Sequence, residues 1–190
     1  MAKINVKTAP QAEPLDKEDV KLHLRIDVPD HDDALDRLII GARKKVERIS
    51  NRRLITQTLE IYMDDWPSGR TIDLPIAPVQ SITNVSYYDS NDTLQVLSNS
   101  KYVADIVSEP GRIVLIDSEV WPDLKIGRPN RIVIELVAGY GDAASDVDEN
   151  IKTAMLMGIE IEFYRPDSTY MAALDRVIKN SMSPYYLKRF

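Results

Sequence analysis

Residues 30–53, DHDDALDRLIIGARKKVERISNRR, read as one long helix, and that reading decides the fold. Leu35, Leu38, Ile39, Ala42, Val46 and Ile49 recur at i, i+3, i+4, i+7, i+11 and i+14, an apolar stripe about 100° wide. Asp30 is placed to N-cap the helix, and Asp32 and Asp33 stand in the first turn, where the helix dipole favours anions. Arg48, Arg52 and Arg53 crowd the last turns, where it favours cations. The span is roughly 30 Å. One apolar residue leaves the stripe: Ile40 projects about 140° from Leu35, beside Asp36 and Glu47, so the helix is expected to touch something on two sides.

A short helix precedes it, LDKEDVKLHLRI, with Asp16 as N-cap and Asp19 three residues on. Val20, Leu24 and Leu22 supply its apolar side. Arg25–Pro29 is a turn, because a residue before proline avoids the helical region. Two helices joined so closely form an antiparallel hairpin.

After Arg53 the period changes to two. Leu59, Ile61 and Met63 alternate with Glu60, Tyr62 and Asp64, a half-buried strand. Ile72 and Leu74 begin another. Val79–Tyr88, Thr93–Leu97, Tyr102–Val107, Arg112–Ile116 and Arg131–Val137 continue the series. Ser90-Asn91-Asp92 and Pro110-Gly111 are turn chemistry, and Pro-Gly predicts a type II turn between two hairpin strands. Helix returns over 147–164, apolar nearly all round, which implies burial on more than one side. Pro166 ends it. Ser168–Met182 is a last helix with Met171, Leu174, Ile178 and Met182 on one face.

The order helices, strands, helices gives an α+β fold. A helical hairpin and the C-terminal helices pack together, with an antiparallel β insertion between them. The expected divisions are a flexible N-terminal arm (1–14), a helical domain (15–53 plus 147–182), a β insertion (54–138) and a C-terminal docking tail (183–190).

Composition excludes several function classes. Among 190 residues, 30 acidic outnumber 24 basic, for a net charge of -6, which argues against general affinity for phosphate backbones. There is no cysteine, hence no disulfide, thiolate metal site or cysteine nucleophile. The first residues hold no signal-like apolar run, and nothing approaches the ~20 apolar residues of a membrane span. The expectation is a soluble protein made in a cytoplasm.

Candidate chemistry is sparse. His31 lies among Asp30, Asp32, Asp33 and Asp36, oxygen ligands that suit a hard cation, but acidic residues belong at a helix start anyway. His23 has no serine or cysteine partner suggested by any motif. Ala138-Gly139-Tyr140-Gly141-Asp142 sits between strand and helix, as phosphate loops do, yet lacks both the third glycine of a dinucleotide fingerprint and the lysine of a P-loop. Its glycines are better read as backbone freedom for leaving the sheet. Arg43, Lys44, Lys45, Arg48, Arg52 and Arg53 form the one basic cluster, ordinarily a solvated helix face, with contact to DNA or an acidic neighbour as the lesser alternative. The ending, Tyr185, Tyr186, Leu187 and Phe190 flanked by Lys188 and Arg189 beyond the Pro184 stop, either has the role its composition suggests, a docking segment, or folds back on the protein's own core.

Taken together, these stretches resemble the head–tail connector (adaptor, or head-completion) proteins of long-tailed phages, in the longer form with a β insertion. The resemblance rests on Leu15–Asp27, on Asp32-Asp33-Ala34-Leu35 with Ile39–Val46, and on the Leu74-Pro75…Pro78-Val79 bracket. It continues through Pro110-Gly111-Arg112-Ile113, Ala138–Asp142, Ile151-Lys152-Thr153-Ala154 and the Pro184-Tyr185 ending, covering about 15–186. Two departures are the Ile161-Glu162-Phe163-Tyr164 turn, where the family is often richer in tryptophan or tyrosine, and residues 1–14, which match nothing in it.

The resemblance implies a structural virion protein without catalysis or cofactor, made in the bacterial host cytoplasm and placed in the particle neck. Such proteins form a homo-oligomeric ring, generally twelvefold, beneath the portal protein; the ring extends the DNA channel and presents a platform to the next neck (stopper) protein. DNA passes through without specific binding, and no membrane is involved. Expected subunit contacts are Ile40, Lys44 and Glu47 on one helix and Leu156, Met157 and Phe163 on the other. Met182 and Tyr185–Phe190 are expected to dock on the portal and to add little to the chain's own core, so that a chain ending at Ser181 still folds. The rival readings are another neck or tail component, such as a stopper or tail terminator, and a small hydrolase using His23 or His31.

Overall fold

The structure, a computed structural model, describes residues 2–27, 32–165 and 167–187. It is mixed α+β, with four α-helices and two antiparallel sheets among the described residues. The chain divides into two compact units, one built from 2–9, 56–139 and 187, the other from 10–55 and 140–186.

The helical unit contains α1 (Lys17–Leu24), α2 (Asp32–Ser50), α3 (Glu149–Tyr164) and α4 (Ser168–Met182). Asp16 caps α1 as expected, its carboxylate accepting from the Asp19 amide at 2.7 Å. Arg25, in the left-handed region at φ 56°, ends that helix. Leu22 is 81% exposed, so only Val20 and Leu24 serve its apolar face. Lys17–Asp36 at 3.0 Å and Lys21–Asp32 at 2.6 Å run in opposite senses along the two helices, the signature of the antiparallel hairpin.

On α2, Leu35, Ile39, Ala42 and Val46 are buried, Leu38 is partly buried, and Ile49 at the edge of the stripe is 42% exposed. The helix stops earlier than expected, because Asn51 adopts φ 56° and breaks the hydrogen-bond ladder. Arg52 and Arg53 therefore lie off the helix. The expected cap Asp30, the turn residue Pro29 and the stop Pro166 fall outside the described residues.

Helix α3 lies centrally and packs on α1, α2 and α4, which explains its apolar composition on several sides. Ile151, Ala154, Met155 and Ile159 are buried there. Of the α4 face, Met182 is fully buried, Leu174 and Ile178 are half-buried, and Met171 is 40% exposed. No helix among the described residues is long and apolar enough to cross a membrane.

The β unit holds β1 (Lys3–Thr8), β2 (Gln57–Met63), β3 (Thr71–Asp73), β4 (Val79–Tyr88), β5 (Leu94–Val96), β6 (Tyr102–Asp105), β7 (Arg112–Leu115) and β8 (Ile132–Ala138). The larger sheet runs β1-β2-β8-β4-β5 and the smaller β3-β7-β6, all pairs antiparallel. Alternation sets the faces: Leu59 opposes Leu136 and Ile61 opposes Ile134 on the buried side, while Glu60 opposes Glu135 on the outer side.

Strand β1 corrects the expectation of a flexible arm over 1–14. Lys3–Thr8 pairs with β2, and the reason is chemical as well as geometric. Two glutamates directly opposite each other repel. Lys7 reaches across to them, 2.7 Å from Glu135 and 3.9 Å from Glu60, and Asn5 adds a 3.3 Å hydrogen bond to Glu60. The hydrogen bond to Glu135 raises the Lys7 pKa, and the Tyr62 hydroxyl, donating at 2.7 Å, lowers that of Glu60.

The β6–β7 hairpin forms as expected, but not through a type II turn. The Glu109–Pro110 bond is cis, and Gly111 is not in the positive-φ region that position demands. Asp105 closes the loop instead, accepting from the Ser108 hydroxyl at 2.8 Å, the Ser108 amide at 3.0 Å and Arg112 Nε at 2.8 Å. These bonds pull its pKa down to about 2.

Two outcomes follow. Lys7→Glu leaves three carboxylates on one sheet face, so amide-exchange protection of β1 should drop while that of β4 and β8 persists. Because the Asp105 pKa is lowered on folding, its contribution is complete above pH ~4 and is lost as pH falls through about 2. The hairpin amides should accordingly lose protection in that window in the wild type, and Asp105→Asn should remove the transition.

Candidate functional site: assembly surfaces

The features that could carry function in the helical unit are surfaces rather than a reactive centre. Between α2, α3 and α4 runs an apolar groove of about 350 Å³. Ala42, Val46, Ala154, Gly158, Ile178 and Tyr186 are among the residues that line it. The charged lining residues pair off, Lys45 with Glu162 at 3.3 Å and Lys179 with Asp175 at 2.6 Å.

The expected contact residues separate into two kinds. Ile40 is 38% exposed and Lys44 is exposed, while Leu156, Met157 and Phe163 are half-buried. Leu156 and Phe163 already pack against the helical core. Glu47 is corrected. It is 6% exposed and faces inward, accepting from Arg43 Nη1 at 3.2 Å and from the Leu54 amide at 3.1 Å. A residue so placed has no surface to offer a neighbour.

The basic cluster is likewise split. Arg43 and Arg52 are buried, at 6% and 7% exposure, which corrects the reading of one solvated face. Arg43 Nε and Nη2 donate to Glu13 at 2.7 and 3.1 Å. Burial alone would lower the Arg43 pKa, but Glu13 and Glu47 outweigh it and raise it; at Arg53 burial outweighs the attraction of Glu47 and lowers the pKa. Arg37, Lys44, Lys45 and Arg48 remain exposed on α2.

The C-terminal segment departs most from expectation. Met182 is fully buried among Leu35, Ala154 and the rest of the helical core. Pro184 does not send the chain away; Ser183–Tyr185 forms a 3-10 turn that brings Tyr185 back onto the same core. Arg52 Nε donates to the Tyr185 carbonyl at 2.6 Å, and the guanidinium lies 5.9 Å from the Tyr140 ring centroid. The Tyr185 hydroxyl hydrogen-bonds Asp148 and lowers that carboxyl's pKa, while Asn150 Nδ2 approaches the same hydroxyl at 3.4 Å. Met182 and Tyr185 are therefore structural, not docking, residues. Tyr186 is 36% exposed and Leu187 half-buried. Lys188, Arg189 and Phe190 lie outside the described residues. Sequence reading missed the clasp because its parts, Arg52, Tyr140 and Asp148, are far apart in the chain; the buried charge of Arg52 had no local signal.

The remaining candidates find structural roles. His23 Nε2 and Glu160 Oε2 are 3.0 Å apart, and Tyr170 donates to the other Glu160 oxygen at 2.8 Å, joining α1, α3 and α4. No group of three or more metal-binding side chains occurs among the described residues; His31 and Asp30 are not among them. In the glycine loop, Gly139 has φ 145°, and a Cβ on Gly141 would collide with the Asp146 carboxylate. The two glycines thus serve the exit from β8, as expected.

Truncation tests the correction. Ending the chain at Ser181 removes a fully buried side chain, and Met182→Ala should cost about 2–5 kcal/mol in urea denaturation. Glu47→Ala should cost about 3–5 kcal/mol, because Arg43 would lose a partner in a buried site.

Comparison with known proteins accords with a structural reading. Solved structures share the fold over nearly the whole chain. One, titled "Virion of native gene transfer agent (GTA) particle", is 20% identical with a TM-score of 0.80, covering 98% of this chain and 96% of that one. Another, the neck of the empty particle computed with C6 symmetry, is 21% identical with a TM-score of 0.80, covering 99% and 97%. The neck of the native particle computed with C12 symmetry gives 21% identity and a TM-score of 0.76, again covering 99% and 97%. A comparison with curated proteins found no match. Residues 17–108, from the start of α1 to the loop after β6, match the model of the phage gp6-like head–tail connector proteins. Over that stretch, just under half of the 190 residues, the chain is similar to the phage head–tail connector family.

Proposed function

We propose that this chain is a structural subunit of a virion neck, assembling as a ring beneath a portal, lengthening the DNA channel and offering a platform to the next neck protein. The observation that carries the reading is the connector-family match over 17–108. Fold similarity to chains of particles whose necks were computed with C6 and C12 symmetry supports a ring of copies. The role requires no catalysis, cofactor or metal. The net charge of -6 suits a passage in which DNA slides rather than binds. The subunit is made in the cytoplasm of a bacterial host and ends in the particle.

In the ring, Ile40 and Lys44 on α2 and Leu156, Met157 and Phe163 on α3 contribute to contacts between neighbours. The portal contact is assigned to Tyr186, Leu187, Lys188, Arg189 and Phe190, beyond the clasp at Tyr185. Each aromatic or aliphatic side chain buried there adds roughly 1.5–3 kcal/mol, a weak anchor singly that a ring multiplies by avidity.

A chain ending at Tyr186 should unfold at the wild-type temperature, since the clasp and Met182 are retained. Filled heads assembled with it should lose the connector and leak DNA. Wild-type occupancy on such heads would show that the last residues do not carry the portal contact.

A further inference from the structure

The outer side of the larger sheet carries a cleft of about 840 Å³. Strand register arranges its lining in rows. Glu60, Glu135 and Asn84 lie opposite one another across β2, β8 and β4. Two residues along each strand, on the same side, come Tyr62, Val133 and Ser86, with Val96 of β5 opposite Ser86. Tyr88 and Leu94 form the next pair. Leu94 and Val96 are 52% and 62% exposed, so apolar surface leads out of the cleft.

Two carboxylates in this cleft are short of partners. Glu60 and Glu135, with 19% and 21% of their side-chain surface exposed, share one ammonium. Lys7 Nζ reaches Glu135 Oε2 at 2.7 Å and stands 3.9 Å from Glu60 Oε1. Asn5 and the Tyr62 hydroxyl both donate to Glu60 Oε2. Glu60 Oε1 and Glu135 Oε1 therefore accept no hydrogen bond among the described residues. The Tyr62 bond lowers the Glu60 pKa, which keeps that carboxylate charged at neutral pH. Lys3, across from Tyr62 at the sheet edge, is exposed and pairs with neither acid. The other end of the cleft shows what a ring beside a carboxylate holds. The Arg128 guanidinium lies 3.4 Å from the Tyr88 ring centroid, and its Nη1 donates to Asp92 at 2.8 Å. Tyr62 with Glu60 and Glu135 repeats the ring and the carboxylate, and no guanidinium of the described residues joins them.

We propose that this cleft binds an arginine side chain presented on an extended segment of a different protein. Directly opposed strand residues have Cβ atoms about 4.5–5.5 Å apart, within the span of a guanidinium's forked donors. The fork bridges the free oxygens of Glu60 and Glu135, its plane stacks on Tyr62, and the segment's apolar neighbours follow Val133, Val96 and Leu94. A lysine, whose donors sit on one atom, repeats what Lys7 already supplies and leaves one oxygen unserved. A second copy is a poor source. Arg70, Arg112 and Arg131, on or beside its strands, already donate to backbone carbonyls or to Asp105 and Asp65. Every residue of the cleft belongs to the β unit, none to the helices assigned to contacts between copies.

The test titrates the whole chain, isotopically labelled for nuclear magnetic resonance, with a short acetylated and amidated peptide of alternating valine and arginine. The amide signals of Tyr62, Ser86 and Val133 should shift saturably, and the matching glutamine peptide should leave them in place. A lysine peptide that binds as tightly as the arginine peptide would overturn the proposal. Glu60→Gln with Glu135→Gln should weaken binding about tenfold or more. Ser86→Arg keeps both acids and sets the chain's own guanidinium in the cleft; it should abolish binding while the sheet retains its amide protection. Undiminished binding by either variant would overturn the proposal. Self-association of the wild type that Ser86→Arg alone removes would make the occupant a second copy, and would overturn it too.

Discussion

A helix that ends against another element must hand its chain over without leaving buried polar groups unpaired. In this molecule that handover rests on the carboxylate of Glu47. It sits in the last turns of α2, accepts from Arg43 one turn back, and accepts the amide of Leu54 beyond the helix end. Arg43 in turn binds Glu13, in the segment leading to α1. One buried ionic group therefore fixes three segments of the helical unit. Ser50 reinforces the same corner, donating to the Val46 carbonyl at 2.7 Å and accepting from the Arg52 amide at 3.3 Å. With Arg52 so placed, its guanidinium meets the Tyr185 carbonyl, and the end of the chain is held as well.

This arrangement separates what α2 does inside the subunit from what it presents outside. Its apolar stripe and its buried Arg43–Glu47 pair serve the core. Arg37, Ile40, Gly41, Lys44 and Arg48 lie exposed on the opposite side of the helix. The same division recurs at the C-terminus, where Met182 and Tyr185 belong to the core and Tyr186 begins the exposed part. The proposed role has such a requirement: a rigid interior, since a ring tolerates little variation between copies, and outer surfaces free to meet neighbours.

Much of the fold was legible because it depends on periodicity. The stripe of α2, the alternation of Leu59, Ile61 and Met63, and the all-round apolar α3 each report their environment locally. The strand Lys3–Thr8 was misread because its short alternation, Ile4 and Val6 among polar residues, is weak alone. Its docking depends on the distant pair Glu60 and Glu135. The turn at Pro110 was misassigned because Pro-Gly signals a turn without fixing the isomer of the bond before it. The errors at Glu47, Arg52 and Tyr185 share one cause. Buried ionic and hydrogen-bonded groups are specified by partners remote in sequence, and composition alone reads them as surface.

The central claim is that this chain closes a ring in a particle neck, and electron cryomicroscopy of particles containing it tests that most directly. The account predicts a single closed ring of this fold between portal and tail, with Ile40 and Lys44 of α2 covered by the adjacent copy. Density for the chain elsewhere in the particle, or a ring in which those residues lie open to solvent or line the DNA, would contradict it.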